Sequence, residues 1–265
     1  MKQIKILLFI SILFTACNNN DKQENPPPGP PVTKEKELLN DVAAHPDSAL
    51  LKENLIQYYR EKGDFDKAIT ETDRAIKKDS LNPRWWDIKA ILYYENDDTL
   101  NAIHSYERAL RIAPDPKYIM ALGSMYAQVK NPRALQLADL LMSGKFGKAE
   151  KEASYIKGSY YSNTGDKLKA IGYFDQCLQL DYTYMIAYRE KAIALYDMGK
   201  YPDALNVLDR AIILQNNFDE SYYWRGRCLE KLGKKQDAID EYKTALVYNP
   251  DYTEAKEELE RLEKN

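Results

Sequence analysis

The sequence repeats itself every 34 residues, and this period constrains the fold more than any other feature. One alanine recurs at spacings of 34, 68, 34 and 34 residues, as Ala68, Ala102, Ala170, Ala204 and Ala238. A fixed period of this length means that each unit buries its apolar face only against neighbouring units. The chain is therefore predicted to fold as a tandem array.

Further positions keep the same period without an insertion. A large aliphatic residue follows the repeated alanine position in all six copies, and a small residue lies seven residues after it. Five residues before it lie residue types that tolerate a left-handed backbone. They are Gly63, Asp97, Asn131, Gly165, Gly199 and Gly233. These positions predict a tight turn between two helices in every unit.

Segments such as GDFDKAITETDRAI (63–76) and GKYPDALNVLDRAI (199–212) closely resemble tetratricopeptide repeats, whose 34-residue unit is a helix, a turn and a second helix. The resemblance implies an all-α fold, a right-handed α-solenoid of six units. The units are placed at 49–82, 83–116, 117–150, 151–184, 185–218 and 219–252. Residues 34–48 and 253–265 are predicted to form helical caps at the two ends.

The third unit, residues 117–150, departs from the pattern. Gln136 replaces the repeated alanine, and Gly144 and Gly147 lie where the second helix should finish. Glycine in a helix interior costs about 1 kcal/mol relative to alanine, so we expect this helix to end early. We also expect the stacking direction to change near residues 143–148 and to divide the array into halves.

The N-terminal residues 1–16 have the plan of a secretory signal peptide, because two lysines precede an apolar run and two small residues. The run is too short to span a bilayer, which needs about 20 residues. Residues 13–17, LFTAC, resemble the lipobox of bacterial lipoproteins, with Phe14 as the one departure. The resemblance implies that Cys17 is lipidated and becomes the first mature residue. A conventional signal peptide with an incidental cysteine is the alternative.

Residues 17–33 follow as a segment rich in asparagine and proline. Such a composition cannot bury enough apolar surface to fold. In polyproline II geometry, at about 3.1 Å per residue, the segment could hold the array up to about 50 Å from a membrane. We therefore predict a tether.

Composition and residue types weigh against several function classes. The net charge of −3 and the lack of a basic stripe disfavour nucleic acid. His45 and His104 lie in different units, so no histidine-based metal site is expected, and no phosphate-binding loop or nucleophile elbow occurs. Cys177 and Cys228 are about two units apart and are expected to be buried and unpaired. We predict a protein that is not an enzyme and holds no cofactor.

The resembled family binds ligands mostly on the concave surface, which the first helices of the units line. In the later units this surface is rich in tyrosine and arginine, which are favoured at interfaces. The predicted peptide-binding strip consists of Tyr118, Tyr155, Arg189, Tyr196, Tyr223 and Arg227. The arginines could bind a carboxylate or backbone carbonyls. The lysine and asparagine set with which one subfamily grips acidic C-termini is not matched by residues such as Glu53 and Gln57.

These features predict a lipid-anchored adaptor or scaffold of the bacterial cell envelope, on the outer membrane, at its periplasmic face or the cell surface. Its concave surface would bind a protein or peptide. One alternative is an outer-membrane assembly factor, either pilotin-like or a scaffold for cell-wall hydrolases. Another class is a surface module for a glycan or nutrient, in which Trp85, Trp86 or Trp224 would stack on a sugar.

Overall fold

The chain folds into paired helices, and the computed structural model describes residues 33–264. All regular structure in this part of the chain is α-helical. The helices are α1 (Lys34–Ala44), α2 (Ala49–Glu61), α3 (Phe65–Lys78), α4 (Pro83–Glu95), α5 (Thr99–Ile112), α6 (Pro116–Gln128), α7 (Arg133–Met142), α8 (Glu150–Thr164), α9 (Lys167–Leu180), α10 (Met185–Asp197), α11 (Tyr201–Leu214), α12 (Asp219–Lys231), α13 (Lys235–Tyr248) and α14 (Thr253–Lys264). The predicted signal peptide, Cys17 and nearly all of the tether lie outside the described residues.

The helices from α2 to α13 form six successive pairs, and α1 and α14 flank them. In each pair the even-numbered helix comes first, and we refer to it as the first helix of its unit. Adjacent helices pack against one another along the chain, as in an α-solenoid. The predicted fold class is confirmed as an α-solenoid.

Short polar side chains begin several of the helices. The hydroxyl of Ser48 accepts a hydrogen bond from the backbone N–H of Leu51, and a carboxylate oxygen of Asp64 accepts one from Lys67. Each such cap satisfies a backbone donor that the helix leaves free and contributes about 1 kcal/mol. Pro83 and Pro116 occupy first helical positions, where the missing N–H costs nothing.

Two glycines allow close approach of the two helices within a unit. A β-carbon at Gly158 would lie 2.6 Å from the ring of Phe174, and one at Gly226 would lie 2.6 Å from the ring of Tyr242. Both rings are fully buried. Small residues at this place in the unit therefore serve the packing of the two helices.

The turns inside the units confirm most of the predicted left-handed positions. Gly199 has φ +73°, and Asp97 adopts the same region with φ +59°. The prediction is wrong at Asn131, because the left-handed residue in the third unit is Lys130, one position earlier, with φ +58°. A non-glycine residue pays a steric cost there that glycine avoids.

An ion pair that the sequence analysis did not anticipate joins neighbouring units. A basic residue in a first helix pairs with an aspartate 16 residues earlier, in the second helix of the preceding unit. The N···O distances are 2.6 Å for Lys89 and Asp73, 2.5 Å for Lys191 and Asp175, and 3.1 Å for Arg225 and Asp209. We refer to the contact between two successive units as a joint, and to these three contacts as the joint ion pairs. A joint that contains one of them is called a regular joint.

The second helix of the third unit ends early, as its glycines predicted. Helix α7 has 10 residues, whereas the other second helices have 14. After Met142 the backbone enters the left-handed region at Gly144 and Gly147. The short helix is followed directly by a change in how the first helices stack.

Helices α6 and α8 pack directly against each other, far more closely than other successive first helices in the described chain. A β-carbon at Gly123 would lie only 2.8 Å from Cδ1 of Ile156. One cluster of buried apolar residues extends from Ala90 in α4 to Ile156 in α8. The expected division into halves at residues 143–148 is therefore wrong, because the core continues across this joint.

Candidate functional site

The first helices line one side of the solenoid, which we refer to as the concave surface. Side chains from successive units are linked along it. Arg84 donates two hydrogen bonds of 2.5 Å to the carboxylate of Glu53, and Lys117 pairs with Asp87 at 3.1 Å. Much of the charge on this surface is therefore already paired within the array.

Two of the six predicted strip residues are buried. The side chains of Tyr118 and Tyr223 are only 3% and 6% exposed. The ring of Tyr118 packs 6.3 Å from that of Tyr106, and the ring of Tyr223 packs 5.0 Å from that of Tyr252. Their rings contribute mainly to packing between helices in this conformation.

The other four predicted residues, Tyr155, Arg189, Tyr196 and Arg227, are half-buried on α8, α10 and α12. The structure brings Tyr196 and Arg227 together, since a guanidinium nitrogen of Arg227 lies 3.4 Å from the hydroxyl of Tyr196. Arg189 is linked to α12 through Glu220. These side chains therefore connect successive units.

Arg189 already binds carboxylates of its own chain. It donates to Glu190 at 2.8 Å and to Glu220 at 2.6 Å. Burial opposes the charge of the guanidinium, but the two glutamates outweigh burial and raise the pKa of Arg189. A ligand carboxylate would have to compete with both glutamates for this arginine.

Arg227 lies among three aromatic rings. Its guanidinium carbon is 5.6 Å from the ring centre of Tyr196, 5.8 Å from that of Tyr223 and 5.7 Å from that of Trp224. It also donates a 2.8 Å hydrogen bond to the hydroxyl of Tyr223 and pairs with Glu258 at 3.6 Å. We refer to Arg227 and the three rings as the arginine–aromatic cluster. Such cation–π contacts hold the guanidinium in one orientation.

Tyr155 lies at a groove between α6 and α8 with a volume of about 240 Å³. Its ring packs edge-on against Tyr184, at 5.7 Å between centres. Burial, followed by the charge of Glu190, raises the pKa of Tyr155 to about 12, so the phenol stays neutral at physiological pH. The groove is lined by Met120, Ala121, Ser124, Glu152, Tyr155, Ile156 and Tyr184.

A second groove on the concave surface, of about 310 Å³, was not anticipated from the sequence. It lies between α2 and α4 and has an aliphatic floor that includes Ile56 and Ile88. Two ion pairs link its walls, one from Arg84 to Glu53 and the other from Arg60 to Glu95. Ile56 and Ile88 are not a full period apart, so the 34-residue repeat did not indicate this groove.

The three tryptophans are all engaged within the described residues. Trp85 is only 3% exposed. The indole nitrogen of Trp86 donates a 3.0 Å hydrogen bond to the carbonyl of Ser80, and Lys89 lies over its ring at 5.7 Å. Trp224 belongs to the arginine–aromatic cluster. A sugar would find little free tryptophan face here.

The described residues also contain no cluster of three histidine, cysteine or carboxylate side chains arranged to hold a metal ion. Cys177 and Cys228 are buried and free, as expected, and burial raises the pKa of both thiols to about 12. None of the helices within residues 33–264 is both long and apolar enough to cross a membrane.

Comparison with known proteins agrees with this architecture. A family model described as tetratricopeptide repeat matches residues 53–118 and 189–253, and a second model of the same description matches residues 152–184. Together they cover more than half of the chain.

Curated relatives resemble the chain over different lengths. Stress-induced-phosphoprotein 1 of Caenorhabditis elegans is 24% identical over 244 residues, which cover 80% of this chain and 76% of that protein. DnaJ homolog subfamily C member 3 of Homo sapiens is 32% identical over 146 residues, 54% of this chain. The match spans only 28% of that relative's length.

Solved structures share the fold. A tetratricopeptide repeat protein from Parabacteroides merdae has a TM-score of 0.74 and 21% identity, over 87% of this chain and 91% of that one. PilW, a type IV pilus biogenesis factor, has a TM-score of 0.62 and 20% identity, over 80% and 96% of the two chains. At these identities the likeness shows the fold alone.

Proposed function

We propose that this chain, which belongs to the tetratricopeptide repeat family, acts as an adaptor that binds a protein or peptide partner on the concave surface of α8, α10 and α12. The observation that carries the proposal is the arginine–aromatic cluster around Arg227. Tyrosine, tryptophan and arginine dominate binding energy at protein interfaces. Here Tyr196, Trp224 and Arg227 lie half-buried on neighbouring first helices, and the buried ring of Tyr223 packs beside them.

The side chains of this surface are held in place before a partner binds. Arg189 is fixed by Glu190 and Glu220, and Arg227 by three rings and the hydroxyl of Tyr223. Side chains that are already ordered lose little conformational entropy on binding, which improves affinity. The proposed surface is thus preorganised.

The pairing of the arginines also limits the chemistry of the partner. Since Glu220 and Glu258 already occupy Arg189 and Arg227, a ligand carboxylate gains little by replacing them. The groove beside Tyr155 can instead take an apolar side chain, and the neutral phenol can hydrogen-bond to a peptide backbone. We therefore favour an extended peptide segment with apolar anchors.

We further propose that the adaptor is a lipoprotein of the bacterial cell envelope, anchored through Cys17 in the outer membrane. The support is the N-terminal sequence, with its basic, apolar and small residues before Cys17 and the proline-rich segment after it. Confinement to one membrane would raise the effective concentration of partners on that surface.

Photocrosslinking tests the binding surface directly. A photoreactive residue replaces Ile186, a concave-surface residue of α10 that is 38% exposed, and the matched control replaces Leu168, which is 67% exposed on α9. We expect capture of an envelope protein at Ile186 and none at Leu168. Equal capture at both sites would argue against a specific concave site.

The same experiment separates the alternative functions. Capture of a secretin subunit or a cell-wall hydrolase would favour an assembly factor over a general adaptor. No captured protein, together with a rise in melting temperature when glycan is added, would favour the glycan module. The engagement of all three tryptophans weighs against that module.

The anchor has its own test. A Cys17→Ser variant should move from the membrane to the soluble fraction and lose incorporation of labelled palmitate. An unchanged distribution would contradict lipidation at this residue. Proteinase added to intact cells should degrade a surface-exposed array and spare a periplasmic one.

A further inference from the structure

A large groove that shares no lining residue with the concave grooves is lined by residues of α5, α6 and α7. We refer to it as the outer groove, and its volume is about 450 Å³. It is lined by Glu107, Leu110, Arg111, Leu122, Tyr126, Arg133, Gln136 and Leu137. Neither the predicted strip nor the proposed concave site shares a residue with it.

The outer groove lies at the joint between the second and third units. It is open because this joint lacks a regular joint ion pair. Between α9 and α11, Lys191 reaches Asp175 and lines both of two smaller pockets, of about 240 and 320 Å³. In the third unit Gly123 stands at the position of Lys191, 68 residues earlier. No long basic side chain from α6 therefore divides the groove.

The acidic residue of this joint is satisfied in another way. Glu107, which corresponds in position to Asp175, accepts hydrogen bonds from the hydroxyl of Tyr126 and from Arg133, the latter at 3.1 Å. Arg133 also donates to the Tyr126 hydroxyl at 3.1 Å. The one carboxylate of the groove is thus bound twice, and it holds Arg133 at the rim.

The rim carries a second arginine that is available to a ligand. The exposed side chain of Arg111 has neither an ion pair nor a hydrogen bond within residues 33–264. With Arg133 it outnumbers the single carboxylate of Glu107, so the rim is net positive. Between the charges lie the aliphatic side chains of Leu110, Leu122 and Leu137.

We propose that the outer groove binds an acidic peptide segment. An aliphatic side chain of the peptide contacts the leucine floor, and a neighbouring carboxylate pairs with Arg111. Arginine suits this role because its planar guanidinium can bind both oxygens of a carboxylate. The site is independent of the concave surface, so the chain can hold two partners at once.

Fluorescence anisotropy tests the proposal with a fluorescein-labelled peptide of alternating aspartate and leucine, titrated with the full chain. Arg111→Glu should weaken binding about tenfold, because an attraction becomes a repulsion at the rim. The matched control is Arg210→Glu, an exposed arginine at the pockets that Lys191 divides. It should change affinity by less than about twofold.

Two further measurements address the floor and the occupant. Gln136→Trp keeps the charge and fills the groove from an exposed position, so it should also weaken binding; circular dichroism checks that each variant is folded. Equal loss in Arg111→Glu and Arg210→Glu would overturn the proposal in favour of general charge attraction. So would a change in sedimentation in Arg111→Glu with unchanged peptide affinity, which would assign the groove to contact between copies. Crosslinking at Ile186 reports separately on the concave site.

Discussion

The joint between the third and fourth units differs from the regular joints in how the helices of the two units pack. At a regular joint a long basic side chain pairs with an aspartate of the preceding unit, as Lys191 does with Asp175. At the joint between the third and fourth units Lys157 pairs with Asp139, and Ile156 of α8 also packs directly against Gly123 of α6. The joint between the third and fourth units thus adds close apolar contact between first helices to an ion pair.

The difference shows that a degenerate repeat need not be a weak one. Helix α6 buries large side chains such as Ile119 and Leu122, although Gln136 replaces the repeated alanine in its partner helix α7. The early end of α7 accompanies the direct contact of α6 with α8. The third unit lacks the basic residue of a joint ion pair at Gly123, and its helix α6 packs directly against α8 instead.

The largest expected effect is at the close contact itself. Gly123→Leu should lower the free energy of unfolding by about 2–3 kcal/mol, because the new side chain must displace Ile156. The matched control is Gly172→Leu in α9, where nothing lies within 4 Å of an added β-carbon and the helix gains stability. Urea unfolding measures both, and equal effects would mean that α6 and α8 are not tightly packed.

Replacing a lysine with glycine at the same turn position should have opposite effects on the unfolding free energy in two units. Lys130→Gly should raise the unfolding free energy by about 1 kcal/mol, since glycine avoids the cost of the left-handed backbone. Lys62, at the corresponding position of the first unit, has φ −85°, so Lys62→Gly should lower stability by about 0.5–1 kcal/mol. Thermal unfolding compares them; a loss in both variants would contradict the altered turn.

Removing a joint ion pair should have a smaller effect. Lys191→Met keeps the apolar stem but loses the pair with Asp175, at a cost of about 0.5–1 kcal/mol. Lys157 pairs with Asp139, whose side chain is 67% exposed against 44% for Asp175, so Lys157→Met should cost less. Urea unfolding at low and high salt checks this, because only the loss of an ion pair depends on salt. The reverse order would show that the ion pair of Lys157 and Asp139 contributes more to stability than that of Lys191 and Asp175.

The smallest expected effect is at the joint between the fifth and sixth units, where Arg225 pairs with Glu241 as well as with Asp209. Burial raises the pKa of Glu241, although Arg225 opposes the shift. The folded state therefore favours the protonated acid, and the stability it confers is lost as pH rises through the raised pKa. Glu241→Gln should be more stable than the natural chain at about pH 7 and equal to it at about pH 4. A pH series of unfolding curves would contradict this if the gain were greatest in acid.

The sequence predicted the features that depend on periodicity within the unit. The helix pairs and the early end of α7 follow from local propensity and from residue types at fixed spacing. These features involve neighbours close in the chain. Their physical causes can therefore be read from one unit at a time.

Features set by contacts between units were harder to predict. Tyr118 is buried because the ring of Tyr106 in the preceding unit packs against it, which its own unit does not reveal. The joint ion pairs did leave a signal, since basic residues recur at 89, 157, 191 and 225 with a gap at Gly123. Reading that gap together with the acidic positions would have indicated the outer groove.

The close packing of α6 against α8 has a consequence for how the chain reaches its fold. In a solenoid almost every contact is local along the chain, so folding can start at any joint and spread. The apolar cluster from Ala90 to Ile156 offers the most favourable starting point. The array should then grow outwards from its middle, with the two terminal helices joining last and fraying first.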